Sequence, residues 1–450
     1  MKMNQEQENT FRCEGDVNFS SERKVWDHEI SLTAARKTVS ADSSYFLHQA
    51  LSTPCLDALD RAKGIYLYAE SGRKYMDFHG NNVHQLGYGN PYIVNRVKEQ
   101  MDRLPFCPRR YTNAVAVECA FRLTELLPND LNRVLFMPGG TLAVGAALKL
   151  ARYVTGKFKI ISTWDAFHGA SLDAISVGGE AQFQQGMGAL LPGVEHIPPY
   201  ESKGVFIDKN PLLYADYLEY VLQKNGDVGA FIVETIRNTD VQIPPKAYWS
   251  RVREICDKYG VLLILDEIPT AFGRTGRMFT FEHYDIEPDI LCLGKGLGGG
   301  LFPMAALVTR EKYNVAAQVS LGHYTHEKSP LGCAATLGVL DYIRDFNLLE
   351  QVREKGEYFQ SLLTKLKDKY SCIHEIRGLG LLWAIEILSL GTDVPDVNLV
   401  DRILYACLRN GLSFKVSKGY ILQLSPPLII TKEELEEAVQ ILDKSIYESL

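Results

Sequence analysis

The sequence predicts an α/β protein, in which a large domain holds a mostly parallel sheet between helices and a small α+β domain is assembled from both ends of the chain. Three observations carry this. Between about Asn90 and Leu340, short apolar runs alternate with amphipathic stretches long enough to be helices, the pattern of strand-helix units that build a parallel sheet covered on both faces. The flanking stretches, 41–89 and 341–450, change to hairpin and helix-plus-strand patterns. With 450 residues, 46% of them hydrophobic, the chain can bury a large core and divides more readily into two domains than one.

Residues 1–40 are polar and charged and read as an N-terminal arm, either flexible or lying over another subunit. From Gly64, GIYLYAESGRKYMDFHG alternates as a hairpin turning at Glu70 to Gly72. The strands of the large domain are expected at VLFM 134–137, KIIST 159–163, AFIVE 230–234, VLLILDE 261–267, ILCLG 290–294 and AALVT 305–309. After Leu340, YIRDFNLLEQVREKGEYFQSLLTKLKDK is helical, GLGLLWAIEI is strand-like, and a final amphipathic helix starts at Thr431.

The 48 Lys and Arg against 55 Asp and Glu leave a formal net charge of −7, which provides no electrostatic reason to expect nucleic acid or an anionic membrane as partner. Nine cysteines without a CxxC pair suit a reducing compartment better than a disulfide framework, and no metal site is indicated. The N-terminal segment lacks the apolar core of a signal peptide, and no run of about 18 apolar residues occurs elsewhere. A cytoplasmic location is expected.

The stretch from Val261 to Gly300, VLLILDEIPTAFGRTGRMFTFEHYDIEPDILCLGKGLGGG, is the most informative. It delivers Asp266 at the carboxyl end of a buried strand, the edge at which ligands bind in such sheets, and Lys295 between two glycines. A carboxylate there keeps a pyridine nitrogen protonated, and a lysine in a tight turn can form a Schiff base with an aldehyde; together they fit pyridoxal 5'-phosphate (PLP). Alone, Asp266 reads more readily as a strand-end cap and Lys295 as a solvated loop lysine. In VLFMPGGTLAVGAALKLARYV, the turn Gly139, Gly140, Thr141 opens a periodic helix and suits a phosphate, or is an ordinary capped helix start with Thr141 as cap. In WDAFHGASLDA, Phe167 can stack on an aromatic cofactor or pack in the core, and His168 reads as a neighbour of the cofactor.

The order of these motifs resembles the class-III aminotransferase family of fold-type I PLP enzymes, from about Gly64 to the C-terminus. The resemblance implies that Gly139, Gly140 and Thr141 hold the cofactor phosphate, with Gly139 standing where the family has a serine and Leu142 where it has a glutamate. Phe167 and His168 match its aromatic-His-Gly. Thr325, in HYTHEKSPLGCAA, matches a threonine that reaches the phosphate of the other subunit, which implies a homodimer with shared active sites. Ile268-Pro269 replaces the usual Val-Gln, so Ile268 can pack on the ring while an amide donor is lost. Near Glu234, Arg237 and Thr239 replace a glutamine and a glutamate. Gln423, in YILQLSPPL, replaces the arginine that clamps a substrate α-carboxylate, a bidentate contact that glutamine cannot reproduce. An ordinary amino acid is therefore a poorer expectation, and Arg237 with the pair Arg109-Arg110 would suit a phosphonate or phosphate, although the pair alone reads as a solvated or interface charge.

The motifs FHGNNVHQLGYGNP, LPFCPRRYTN, PGGT, ETIR, DEIPTAFGRTG, HYTHEKSP and QLSPPL together resemble one branch of the family, the ammonia-lyases acting on (R)-1-hydroxy-2-aminoethylphosphonate. That resemblance implies a catalytic Lys295 that removes a proton from the aminated carbon, loss of the hydroxyl, and hydrolysis to phosphonoacetaldehyde and ammonia. Arg237, with Arg110, is then expected to bind the phosphonate and Asn82 to orient the polar end of the substrate. The rival is a class-III aminotransferase acting on 2-aminoethylphosphonate, an ω-amine or an amino acid with an oxo-acid acceptor. A non-catalytic scaffold is disfavoured by the presence of Lys295 and Asp266.

Overall fold

The computed structural model describes residues 20–49, 52, 55–128, 130–201 and 210–450. The chain forms two compact units: Pro91–Asn238 with Gln242–Leu349, and Met1–Asn90 with Thr239–Val241 and Glu350–Leu450.

The larger unit is built on seven strands, β1 (Arg133–Met137), β2 (Lys159–Thr163), β3 (Val194–Ile197), β4 (Val228–Glu234), β5 (Leu262–Asp266), β6 (Ile290–Leu293) and β7 (Ala305–Thr309), in the order β1-β7-β6-β5-β4-β2-β3. Neighbours run parallel except β7, which is antiparallel to both β1 and β6. Every residue of β4 and β5 is buried, which is why both read as continuous apolar runs rather than alternating ones. Their register pairs Glu234 with Asp266 and Asp266 with Cys292, so three strands present these side chains at one level of the carboxyl edge. Strand β3, VEHI, has too little apolar sequence to stand out from its loop and was not anticipated.

One face of the sheet is covered by the helix Gly140–Thr155, whose Ala143, Ala146, Ala147 and Ala151 are fully buried against Ile160, Ala230, Ile232, Ile264 and Leu307. Small side chains let this helix approach closely. It stops at Gly156, a left-handed cap at φ +66°. Helix Lys246–Tyr259 packs beside Leu212–Lys224 and against β5, and buries Tyr248, Trp249, Val252 and Ile255.

The smaller unit contains two four-stranded sheets. The hairpin Tyr66–Ala69 and Lys74–Asp77 turns at Gly72 (φ +83°), and Leu412–Ser413 adds in parallel with Leu412 opposite Met76, tying the two chain segments together. In the second sheet, the segment 378–387 is not one strand: Ile373–Leu379 and Leu382–Ile387 pair antiparallel around Gly380 at φ +59°. The helical stretch from Tyr342 to Lys369 is likewise two helices, Pro330–Asp345 and Leu348–Lys369, parted at Asn347 with φ +47°. Thr431 caps the last helix through a capping box with Glu434.

The expected N-terminal arm needs correction where it is described; its residues 1–19 lie outside the described residues. Ser20 caps the helix Ser21–Ser31. Trp26 is fully buried with its indole N–H donating to Leu56 O at 2.6 Å, and Arg23, 1% exposed, donates to Cys55 O at 2.9 Å. One tryptophan and Ile30 four residues on suffice to anchor a segment that is polar by composition. Among the described residues, no helix is long and apolar enough to cross a membrane, no metal-ligating cluster occurs, and the cysteines are free.

Candidate functional site

The site grows from the carboxyl edge of β4, β5 and β6. Asp266, 2% exposed, accepts from the Ile268 N–H at 3.0 Å on Oδ1, and its Oδ2 lies 2.8 Å from His168 Nδ1. An ionised carboxylate only accepts, so His168 donates through Nδ1; its Nε2 faces Ser162 Oγ at 3.4 Å. Glu234 is buried and holds the loops on either side, accepting from the Phe167 N–H at 3.1 Å and the Asn238 N–H at 2.9 Å. Burial pushes its carboxyl above the usual range, His168 opposes that rise and Asp266 adds to it. Glu234 thus fixes the backbone from which Phe167 and His168 project. Phe167 is half-buried, its ring 4.9 Å from that of Phe183.

Ile268 links three parts of the site. A Cβ on Gly140 would come within 3.0 Å of its side chain, and one on Gly294 within 3.2 Å. The start of helix Gly140–Thr155, the residue after Asp266-Glu267 and the residue before Lys295 therefore converge, and a Cβ at either glycine would make Ile268 give way. Lys295 is half-buried and holds a positive φ of +46° at the head of the short turn Lys295–Gly298, a conformation that only a constrained site imposes on a non-glycine residue. The helix N-cap is Gly139 rather than Thr141. The Thr141 hydroxyl instead lies 2.6 Å from that of Ser171, and the first backbone N–H groups of the helix point outward, a ready anion site.

Glu267, beside Asp266, faces the other way. It accepts from the N–H groups of Thr280 at 2.6 Å and Phe281 at 2.7 Å and from the Thr235 hydroxyl at 2.8 Å, which pins the loop between β5 and β6. Burial raises its pKa to about 7. Arg274 in the same loop is wholly buried, and desolvation lowers its pKa to about 9. After Pro269, the Thr270 hydroxyl is buried without a hydrogen-bond partner among the described residues.

The remaining candidates stand on other elements. Arg237, 7% exposed, lines a recess of about 20 Å³ with Val233, Glu234, Tyr248 and Trp249. Side chains alternate along β4: Ala230 and Ile232 pack in the core with helix Gly140–Thr155, while Val233 lines the recess with Tyr248 and Trp249. Arg237 thus sits at the rim, toward the Lys246–Tyr259 face. Arg110 is exposed on a turn, and Arg109, not Arg110, lines a cleft of about 640 Å³ with Arg133, Ser320, His323 and Glu327. Thr325 is exposed on a turn before helix Pro330–Asp345. Asn82 belongs to the smaller unit, 3% exposed with φ +58°, as does Gln423, 1% exposed on Ile421–Leu424. Glu234, Ser162, Ser171 and Asp173 were not singled out from sequence. Ser171 and Asp173 carried one readable sign, a serine and an acid at the start of a helix.

Comparison with known proteins agrees with this geometry. Residues 48–446 match the family described as Aminotransferase class-III. The chain is 55% identical over 455 residues, 97% of its length and 95% of the other, to an (R)-1-hydroxy-2-aminoethylphosphonate ammonia-lyase of Vibrio splendidus. It is 34% identical to an acetylornithine aminotransferase of Methanopyrus kandleri, over 84% of this chain and 91% of that one. Among solved structures, a taurine:2-oxoglutarate aminotransferase of Bifidobacterium kashiwanohense, in complex with PLP and glutamate, superposes with a TM-score of 0.86 at 29% identity, covering 92% of this chain and 98% of that one. An (S)-enantioselective ω-transaminase of Thermomicrobium roseum gives 0.86 at 27% identity, over 92% and 99%. With the family match spanning nearly the whole chain and near-full-length relatives on both sides of it, the protein belongs to the class-III aminotransferase family.

Proposed function

We propose that the protein is a PLP-dependent ammonia-lyase that converts (R)-1-hydroxy-2-aminoethylphosphonate to phosphonoacetaldehyde and ammonia. The observation that carries this is the 55% identity across nearly both full chains to a lyase of that name, well above the 34% or less shared with the aminotransferases. Gln423 in place of the carboxylate-clamping arginine agrees with a substrate that has no α-carboxylate.

The residues present fit the cofactor. The open N-terminus of helix Gly140–Thr155, with nothing within 4 Å of where a Cβ on Gly139 would stand, suits its phosphate. Asp266, held by Ile268 and His168, suits its ring nitrogen; Phe167 and Ile268 suit its two faces; Lys295 suits its aldehyde. When bound, the cofactor supplies an electron sink for charge developing on the aminated carbon. With the cofactor bound, Asp266, its carboxylate oriented by His168 and the Ile268 N–H, would keep a proton on the ring nitrogen. Lys295 accepts the proton of the aminated carbon as general base, and its constrained backbone limits where that amine can reach. Arg237, with Arg110, binds the phosphonate, and Asn82 orients the polar end of the substrate. The protein works in the cytoplasm as a homodimer with shared sites, Thr325 completing the phosphate site of the partner.

The test is incubation of the PLP-loaded protein with this substrate and no oxo acid, following ammonia and phosphonoacetaldehyde. Release of both over many turnovers is expected. A single turnover that resumes on adding pyruvate would make the protein an aminotransferase, and inertness would overturn the phosphonate reading. Arg237→Ala should raise KM for the substrate with little change in PLP affinity; equal loss of both would remove Arg237 from the phosphonate site.

A further inference from the structure

The second sheet of the smaller unit buries a polar face. Its register sets Arg377 and Gln423 opposite Ala384, and Glu386 opposite Ile421. Residues directly opposite share a face, so Arg377, Glu386 and Gln423 stand on one side while Leu422 and Leu424 stand on the other. Two cations beside this face are already committed: Arg377 Nη1 donates to Glu386 Oε2 at 2.8 Å and its Nε to Asp240 O at 2.9 Å, and Lys418 Nζ is 2.9 Å from Asp240 Oδ2. Ser425 follows the last strand, Ile421–Leu424. The residue before a proline is kept extended, so Ser425, before Pro426, continues the alternation on the Gln423 side. It is 1% exposed, and its hydroxyl has no hydrogen-bond partner among the described residues. A buried hydroxyl left unpaired disfavours folding, so its presence calls for a partner that binds.

Beside Ser425 runs the loop that carries Asn82. The Ser425 N–H donates to Phe78 O at 2.7 Å and the Leu428 N–H to Gln85 O at 2.7 Å, so the segment 425–428 brackets residues 78–85. Within that loop, Gly80, Asn81 and Asn82 take positive φ in succession, +43°, +47° and +58°. Asp77 Oδ1 fixes the turn by accepting from the His79 N–H at 2.9 Å and the Gly80 N–H at 3.0 Å. Left-handed backbone at two consecutive asparagines is kept where the placement of a side chain matters. Ser417 is unpartnered too, but it stands opposite Ile421, at the far end of the face from this loop.

We infer that Ser425 is a specificity-determining residue whose hydroxyl bonds the hydroxyl of the substrate, next to Asn82. This rests on the proposed substrate and on the place it gives Asn82. A serine hydroxyl both donates and accepts, and an alcohol does the same, whereas an ionised phosphonate oxygen only accepts and is matched by arginine. An amine that lacks the hydroxyl would leave Ser425 buried and unpaired, so the same contact discriminates against it.

The test compares wild type with Ser425→Ala, both PLP-loaded and without oxo acid, on (R)-1-hydroxy-2-aminoethylphosphonate as substrate and on 2-aminoethylphosphonate, which has no hydroxyl, as competing ligand. Ser425→Ala should raise KM for the substrate roughly 10-fold, the scale of one buried hydrogen bond, and leave the inhibition constant of 2-aminoethylphosphonate unchanged. Its melting temperature without ligand should not fall, because the hydroxyl removed has no partner in the protein to lose. Wild-type binding of the analogue by the variant also shows that it is folded. An unchanged KM, an equal loss for both compounds, or a lower melting temperature would each overturn the inference. If the wild-type protein neither binds nor converts the hydroxylated compound, the proposed substrate fails first and this inference falls with it; wild-type turnover with an unmoved variant removes Ser425 alone.

Discussion

His168 and Asp266 are joined by a 2.8 Å contact between two wholly buried side chains, one from the loop after β2 and the other from the end of β5. Among the described residues, this imidazole and the Ile268 N–H define where the Asp266 oxygens point. Replacing His168 by Ala removes a hydrogen bond to a charged group, about 1.5–3 kcal/mol, and should lower kcat roughly 10- to 100-fold. The visible band of the PLP-loaded protein should weaken or shift, and a His168→Asn variant that can still donate should recover part of the rate. An unchanged spectrum and rate would show that Asp266 needs no orientation.

Lys295→Ala should bind PLP without covalent attachment. Borohydride treatment followed by mass spectrometry is expected to fix one cofactor per chain in the wild type and none in the variant. Turnover should fall to background, because no other lysine is placed by the Gly294 and Gly296 flanks. A residual adduct would mean that another amine serves.

Glu267 provides a stability test independent of activity. Its two oxygens face two backbone N–H groups, so Glu267→Gln sets an amide donor against one of them. The loss should be about 1–3 kcal/mol, read by urea unfolding. The raised pKa of about 7 means that the folded state favours the protonated form. Its contribution is fully present below the unfolded value near 4.5 and is lost as pH rises through about 7. The stability gap between wild type and Glu267→Gln should therefore narrow from pH 5 to pH 8; a widening gap would reverse the assignment.

Gly356 lies inside helix Leu348–Lys369, where alanine would ordinarily be favoured by about 1 kcal/mol. A Cβ there would stand 2.5 Å from Gly380 O, and backbone cannot move aside as a side chain can. Gly356→Ala should lower the melting temperature, by a loss of about 1–3 kcal/mol, against the propensity. A rise would show that the turn at Gly380 yields.

Much of the core machinery was readable from sequence because it follows local rules. The apolar runs of β4 and β5, the acid ending β5 and the glycines about Lys295 each declare themselves within a few residues. Strand β3 did not, since VEHI at a sheet edge has little apolar surface. The helix around Trp26 was read as an arm because one buried tryptophan in a charged segment leaves composition almost unchanged. What sequence lacked most was the identity of partners across the site. Asp266 with His168, Glu234 with the Phe167 N–H, and Thr141 with Ser171 are separated by 98, 67 and 30 residues, and spacing says nothing about such pairs. Arg237 shows the reverse limit: its charge was plain, but its place on the rim beside Tyr248 and Trp249 depends on which way the chain turns after β4.

The seating of Ile268 between Gly140 and Gly294 makes three positions share one volume. A methyl added to either glycine crowds the isoleucine, so a substitution at one glycine is expected to be eased by a smaller residue at Ile268. Attempts to reshape the pocket for a new amine therefore have less freedom at this wall than its apolar character suggests. A library that varies Ile268 toward larger residues would mostly sample proteins in which helix Gly140–Thr155 has been pushed away from the lysine.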